Sequence, residues 1–448
     1  MFENIIAQSA ASQLCADFRS RRLAPSMLFY GPTASSKGSS ALELARALSC
    51  EGDAAWNCAC PACVRHRYIM HSDLLCLGKR AFSAEIAAAR AAYVREPLAT
   101  STAIFFIRSV RKLMARFSPA LWEDDSKLGK FRPVLESLEE ALAEFESRSS
   151  SASGAASAAA PAANFDLSAV GKLGESIVKN AQKLEADGIS DSIPVAQIRR
   201  AAYWARLAPA GKRKIMLIEN AGRMQESARN SLLKILEEPP ATVTIILCAE
   251  RRQLIMPTLL SRLRPYRFLK RSREKELEVI RRVFRDTAGH EKISGLAAYL
   301  DSFLPVSDES LYPLSAFFIA SAARAAALAL RKSGGDIPAE LNALGVYCAP
   351  MADAAGFKKA QDAAEACAAI LEKSAGFENL SFSRFIGNNL ELVSLAAQTA
   401  GVSSRSLMYN DIWRKYSVEA ESAVSVYNQN PALVLESLFY RLKKAMSE

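Results

Sequence analysis

Apolar residues in the first 270 positions fall in short runs bounded by glycine and polar residues. Leu28-Phe29-Tyr30, Leu74-Leu75-Cys76-Leu77, Ile215-Met216-Leu217-Ile218 and Thr242-Val243-Thr244-Ile245-Ile246-Leu247 read this way. Such runs predict buried parallel strands, the core of an α/β domain. Between the second and third runs the pattern changes. Ala84–Tyr93 and Phe131–Phe145 have helical periodicity, and Phe165–Ala186 reads as an amphipathic helix. Ser147–Ala163 is rich in serine and alanine, with Gly154 and Pro161, a composition that predicts a flexible linker. From residue 271 onward the pattern is helical, with breaks expected at Ser333-Gly334-Gly335 and at Pro350. The most apolar helix, Leu314–Leu330, is interrupted by Arg324 and predicts a buried core helix rather than a membrane span. Met1 leads straight into a mixed polar segment, so no export signal is expected.

The first run opens into Gly31-Pro32-Thr33-Ala34-Ser35-Ser36-Lys37-Gly38-Ser39. The phosphate-loop pattern is G-x-x-x-x-G-K-[ST]. Gly31 and Lys37 fit it. Ser36 stands at the second glycine, and Gly38 stands where a hydroxyl would hold Mg²⁺. The third run ends in Glu219-Asn220, where a hydrolysing ATPase of this type would carry Asp-Glu, and Asn220 cannot accept a proton at neutral pH. Departures at two matching places predict an ATPase scaffold that has lost its own hydrolysis. Gly31, Lys37, Ser39 and Glu219 would form a degenerate nucleotide site, weak or empty. After the fourth run comes Pro257-Thr258-Leu259-Leu260-Ser261-Arg262-Leu263-Arg264. An arginine at such an exit can reach a neighbouring subunit's γ-phosphate and raise its rate by about 10³–10⁵. Spacing alone favours an ordinary solvated arginine.

Nine cysteines in 448 residues are too few for a disulfide scaffold. Four of them cluster as Cys50, Cys58, Cys60 and Cys63, which favours a tetrahedral structural zinc over a reduced, metal-free loop. His66 or His71 is an alternative ligand for one position. The length predicts about three domains. A net charge of +10 and a pI near 9.1 suit either a nucleic-acid backbone or acidic partner subunits. Gly78-Lys79-Arg80 and Lys270-Arg271-Ser272-Arg273 are the densest basic spots and read as solvated loops.

Several segments together resemble the delta-prime subunits of bacterial DNA polymerase III clamp loaders, in the AAA+ superfamily. They are Met1-Phe2-Glu3-Asn4-Ile5-Ile6 with Gln8, Arg22 to Pro32, Asn230-Ser231-Leu232-Leu233-Lys234-Ile235-Leu236-Glu237-Glu238-Pro239-Pro240, and Ser261-Arg262-Leu263, which matches the family's Ser-Arg-Cys motif with leucine for cysteine. The resemblance covers about residues 1–78 and 190–270. It implies that Arg262, beside Ser261, is an arginine finger acting in trans. It also implies a zinc module at Cys50, Cys58, Cys60 and Cys63. Here the module is shortened, with one residue between Cys58 and Cys60 where the family has two.

The expected architecture is an α/β P-loop AAA+ domain over residues 1–270, with a zinc module at 50–63 and a helical insertion at about 79–190 that includes the linker at 147–163. An all-α lid at 271–303 and an all-α collar at 304–448 follow. The insertion reads as a tolerated surface excursion. The resemblance implies a cytoplasmic, non-hydrolysing subunit with gamma/tau and delta clamp-loader subunits, the beta sliding clamp and primer-template DNA as partners. An autonomous ATPase of gamma/tau type, using Lys37 and Ser39, and a zinc-containing DNA-binding scaffold are the alternatives.

Overall fold

Five parallel strands form one sheet: β1 (Ser26–Tyr30), β2 (Leu74–Leu77), β3 (Lys214–Ile218), β4 (Val243–Ala249) and β5 (Arg264–Arg267), in the order β2-β3-β4-β1-β5. The four apolar runs became β1 to β4, and β3 and β4 are buried at every position. The apolar pattern missed β5. It lies at the sheet's edge, where only Tyr266 is buried and Pro265 is tolerated because an edge strand needs fewer ladder donors. The computed structural model describes all residues except 123–125, 156–165, 191, 289–294, 305–307, 361, 374–381, 402, 426–428 and 448. The chain divides into two units, Met1–Phe303 and Leu304–Glu448.

The helices of the first unit are α1 (Ser9–Arg19), α2 (Lys37–Ser49), α3 (Pro61–Arg67), α4 (Phe82–Arg95), α5 (Thr100–Met114), α6 (Pro119–Trp122), α7 (Ser126–Ala155), α8 (Leu167–Gly188), α9 (Val195–Arg206), α10 (Glu226–Glu237), α11 (Pro257–Leu260), α12 (Arg273–Val283) and α13 (Leu296–Asp301). A parallel sheet with many helices fits the expected class of α/β fold.

Segment 79–190 is helical as expected, but it is not a surface excursion. Phe82, Ile86, Phe106, Phe117 and Phe145 share one buried cluster with Leu75 and Leu77 of β2 and Met216 and Ile218 of β3. The Phe145 ring meets Phe106 at 5.0 Å and Tyr93 at 4.8 Å, both edge-on. Glu185, near the end of α8, accepts hydrogen bonds from the amides of Phe82 (3.1 Å) and Ser83 (2.6 Å). Its carboxylate thus caps the positive N-terminus of α4 from 102 residues away in sequence. The first half of the expected linker is helix. Ser147–Ala155 continues α7, because serine and alanine remain compatible with a helix once its earlier turns are packed. Residues 156–163 of that linker, and Phe165, lie outside the described residues. Further along the unit, Val279, Ile280, Phe284, Leu296 and Tyr299 bury themselves against Ile6 and Ala88.

Among the described residues, the regular elements of the second unit are all helices: α14 (Asp308–Lys332), α15 (Ala339–Ala354), α16 (Ala363–Lys373), α17 (Phe382–Ala400), α18 (Ser404–Ser425) and α19 (Pro431–Ser447). Phe318 sits edge-on to Phe385, Trp413 and Phe439, one aromatic from each of three other helices. Leu311–Lys332 is long and apolar enough to cross a membrane, yet it carries Leu314, Phe317 and Phe318 into this core. The break at Ser333-Gly334-Gly335 is present, whereas Pro350 sits inside α15. The carbonyl that Pro350 leaves without a donor belongs to Val346, whose side chain is exposed, so water can serve that carbonyl.

If segment 79–190 is core, deleting its central ring is expensive. Phe106→Ala is expected to lower the stability of the first unit by about 3–5 kcal/mol, read from chemical denaturation. A loss below about 1 kcal/mol is what a loosely attached excursion would give.

Candidate functional site

Strand β1 delivers its C-terminal end into the phosphate loop, and α2 begins at Lys37. The loop keeps its shape despite its lost glycine. Ser36 is left-handed (φ 68°), as is Ala34 (φ 58°), a conformation that costs a non-glycine residue roughly 1–2 kcal/mol. Arg271 compensates. Its guanidinium donates to Ala34 O and to Ser36 Oγ, both at 2.8 Å, and its Nε donates to Ile6 O at 2.8 Å. The spot that read as a solvated basic loop therefore contains a buried clamp, because the carbonyls it serves come from distant segments. Gly31 (φ 152°) is required, since a Cβ there would stand 2.1 Å from the Phe268 carbonyl. Lys37 is folded back on its own loop. Its Nζ donates to Gly31 O and Pro32 O at 2.6 Å and to Ser35 Oγ at 3.2 Å, and burial lowers its pKa.

Glu219, at the end of β3, faces this loop and is buried. It is gripped by two guanidinium groups from segment 79–190. Arg116 binds one carboxylate oxygen, and Arg80 reaches the other at 3.3 Å. Arg116 also donates through Nε to Gly78 O at 2.9 Å, and its guanidinium lies 5.0 Å from the Phe82 ring centre. The network continues inward, with Glu85 pairing with both Arg80 and Lys112. Gly38 now has a local reason. A Cβ there would come within 2.4 Å of Glu219 Oε1, and that carboxylate is clamped and unable to swing away. Asn220 is left-handed (φ 50°), a region asparagine tolerates, and its Nδ2 donates to Lys79 O at 2.6 Å. Ser39 lies one helical step beyond Gly38 and takes no part in this network among the described residues.

Arg262 and Ser261 follow α11, at the surface. Arg262 Nη2 pairs with Glu237 Oε1 at 2.7 Å. Its other partners are Thr258 O and Ser261 Oγ, so the structure does not bring Arg262 and the phosphate loop together within the chain.

The four clustered cysteines do converge. Cys50 follows α2, Cys58 and Cys60 lie in the next loop, and Cys63 is in α3. Their sulfurs all lie within 4.8 Å of one another, with Cys50–Cys58 at 3.6 Å and Cys50–Cys60 at 3.9 Å. Four sulfurs on a tetrahedral metal at about 2.3 Å would be about 3.8 Å apart, so the shortened spacing still builds the donor set. His66 and His71 are outside the cluster, stacked on each other at 4.2 Å, and burial pushes His66 down to about 3. Arg46 donates to Cys63 Sγ at 2.9 Å and to Ala54 O at 2.9 Å, fixing the loop that carries the other thiols. Burial would raise the Cys60 thiol, but the amides of Glu51 and Cys63 outweigh it and bring it to about 6.

Sequence reasoning missed Arg46, Arg80, Arg116 and Arg271. A buried arginine leaves a local trace only at Arg46, one turn before Cys50 on a buried helix face. The other three act across the sheet or the loop and leave none.

A family model described as DNA polymerase III, delta subunit, matches residues 6–121 and 163–272, half of the chain. The chain belongs to that family. A curated relative, the DNA polymerase III subunit delta′ of Pseudomonas aeruginosa PAO1, is 35% identical over 80 residues, which are 18% of this chain and 24% of that protein. The chain thus spans about a quarter of that relative's length. A crystal structure of a DNA polymerase III gamma subunit-related protein from Thermotoga maritima MSB8 is 16% identical, covering 61% of this chain and 90% of that one, at a TM-score of 0.28.

The network has a pH signature. Burial alone would raise the Glu85 carboxyl, but Arg80 and Lys112 outweigh it and hold it at about 2, below its usual 4.5. A carboxyl depressed by folding stabilises fully above its unfolded pKa, and that stabilisation is lost as pH falls from 4.5 towards about 2. Acid titration of stability is expected to show this limb in the natural chain, and Glu85→Gln is expected to flatten it.

Proposed function

We propose that this chain is a delta-prime-type subunit of a bacterial clamp loader, one that does not hydrolyse ATP and that lends Arg262 to a neighbouring ATP site. The observation that carries the reading is the clamped Glu219. A hydrolysing site needs an acidic pair and a hydroxyl around Mg²⁺. In this chain the acid is neutralised by Arg116 and Arg80, the hydroxyl position is a glycine packed against it, and the second acid is Asn220. Two cations beside the carboxylate disfavour a third, divalent one. The surface position of Arg262 suits an arginine that acts outside its own chain. Its pairing with Glu237 is exposed, so the guanidinium still presents N–H groups that a neighbour's phosphate oxygens can reach.

On this reading residues 271–303 are the lid and 304–448 the collar that joins subunits in a ring. Gamma/tau and delta subunits, the beta sliding clamp and primer-template DNA are the partners, and the cytoplasm is the place of work. The four cysteines hold one structural zinc. The donor set of four thiolates leaves no open position, so the metal would fasten α2 to α3 and supply no reaction chemistry.

The test is ATP hydrolysis by the chain alone and by the complex rebuilt with the gamma/tau and delta proteins of its source. The isolated chain is expected to be inactive. In the complex, Arg262→Ala is expected to remove hydrolysis at one neighbouring site, by a factor on the order of 10³ there, with assembly intact. Full-rate hydrolysis by the mutant complex would reject the donor role, and steady turnover by the isolated chain would reject the disabled loop.

The zinc reading has its own measurement. Metal analysis of the purified chain is expected to find one zinc per molecule, absent in Cys60→Ser, and chelation is expected to lower the melting temperature of the first unit. A metal-free chain of unchanged melting temperature would overturn it.

A further inference from the structure

The guanidinium of Arg262 is held within this chain by three acceptors. Nη1 donates to Thr258 O at 2.7 Å and to Ser261 Oγ at 3.1 Å, and Nη2 donates to Glu237 Oε1 at 2.7 Å. Ser261 Oγ itself donates to Thr258 O at 3.0 Å. A guanidinium has five N–H groups, so these contacts leave two for an outside acceptor. The side chains remain accessible, at 34% for Arg262 and 49% for Glu237.

Glu237 stands where helix electrostatics disfavours an acid. It is the last residue of α10, at the negative end of the helix dipole, and Glu238 follows it. Two acids in succession at a helix C-terminus are unfavourable unless a cation answers them. The cation that answers Glu237 comes from 25 residues further along the chain.

We propose that Glu237 is a positioning residue for Arg262. Its carboxylate, with Thr258 O and Ser261 Oγ, holds the guanidinium in one orientation at the surface and leaves two N–H groups for the phosphate oxygens of a nucleotide on a neighbouring subunit. The proposal rests on the reading of Arg262 given above. Arginine has many rotamers, and a group fixed before the reaction loses less entropy at the transition state. Such an effect falls on turnover rather than on substrate binding. Because the pair is exposed, salt screens it, whereas salt would leave a packing role unaffected.

The experiment uses the reconstituted complex with the natural chain, Arg262→Ala, Glu237→Gln and Glu237→Asp, each checked for assembly. Glu237→Gln is expected to lower kcat about tenfold with KM for ATP nearly unchanged. Glu237→Asp should recover part of the loss. The gap between Glu237→Gln and the natural chain should narrow as salt rises from roughly 0.05 to 0.5 M. If Arg262→Ala abolishes hydrolysis while Glu237→Gln leaves kcat unchanged or raises it, or lowers it equally at all salt concentrations, the positioning role is overturned and the finger reading stands. If Arg262→Ala hydrolyses at the full rate, both fall together.

Discussion

The carboxylate of Glu219 is the point on which the first unit depends. It closes the C-terminal end of β3, beside the phosphate loop, with little water near it. A buried charge there is tolerable only with partners of good geometry. Arg116 and Arg80 supply them, and each is itself buried in part by Phe82. The second acid, Glu85, balances what Arg80 and Lys112 would otherwise leave over. Segment 79–190 is therefore bound to the sheet by ion pairs as well as by its apolar side chains. Neither could be removed without exposing the other.

The loop between β1 and α2 holds a tight turn without the second glycine of the phosphate-loop pattern. Its second glycine has become Ser36, which nevertheless adopts the left-handed backbone. The strain is met by Arg271, which bonds Ser36, Ala34 and Ile6 together. Lys37 turns to the carbonyls of its own loop. Lys37 and Arg271 both spend their donors inside the loop.

What the sequence disclosed follows from how local each signal is. Strands buried on both faces announce themselves through four or five consecutive apolar residues, and β1 to β4 were legible for that reason. β5 buries only one of its four residues and was not. The cysteine cluster was legible from proximity in the chain, and its shortened spacing proved harmless because the loop around Gly52 and Ala54 bends the sulfurs together. Segment 79–190 was legible as helices but not as core. Its burial is decided by pairings such as Arg116 with Glu219, which no window of local pattern contains. For the same reason two basic spots that looked solvated each held an internally paired arginine, the half-buried Arg80 and the buried Arg271. Pro350 misled in the opposite sense, since a packed helix can carry an interior proline at the cost of one backbone hydrogen bond and a local kink.

The distance along the chain between Arg116 and Glu219, 103 residues, also has a meaning in time. At bacterial rates of about 5–20 residues per second, a ribosome needs roughly 5–20 s to make what separates them. During that interval Phe82, Phe106 and Phe145 have been made, while β3, one of the strands they pack against, has not. The helices of the insertion must wait on the growing chain with their apolar faces uncovered and Arg116 without its carboxylate. A cell that makes this protein has to shelter that half-built intermediate until β3 arrives, so the segment that secures the finished molecule is its point of exposure at birth.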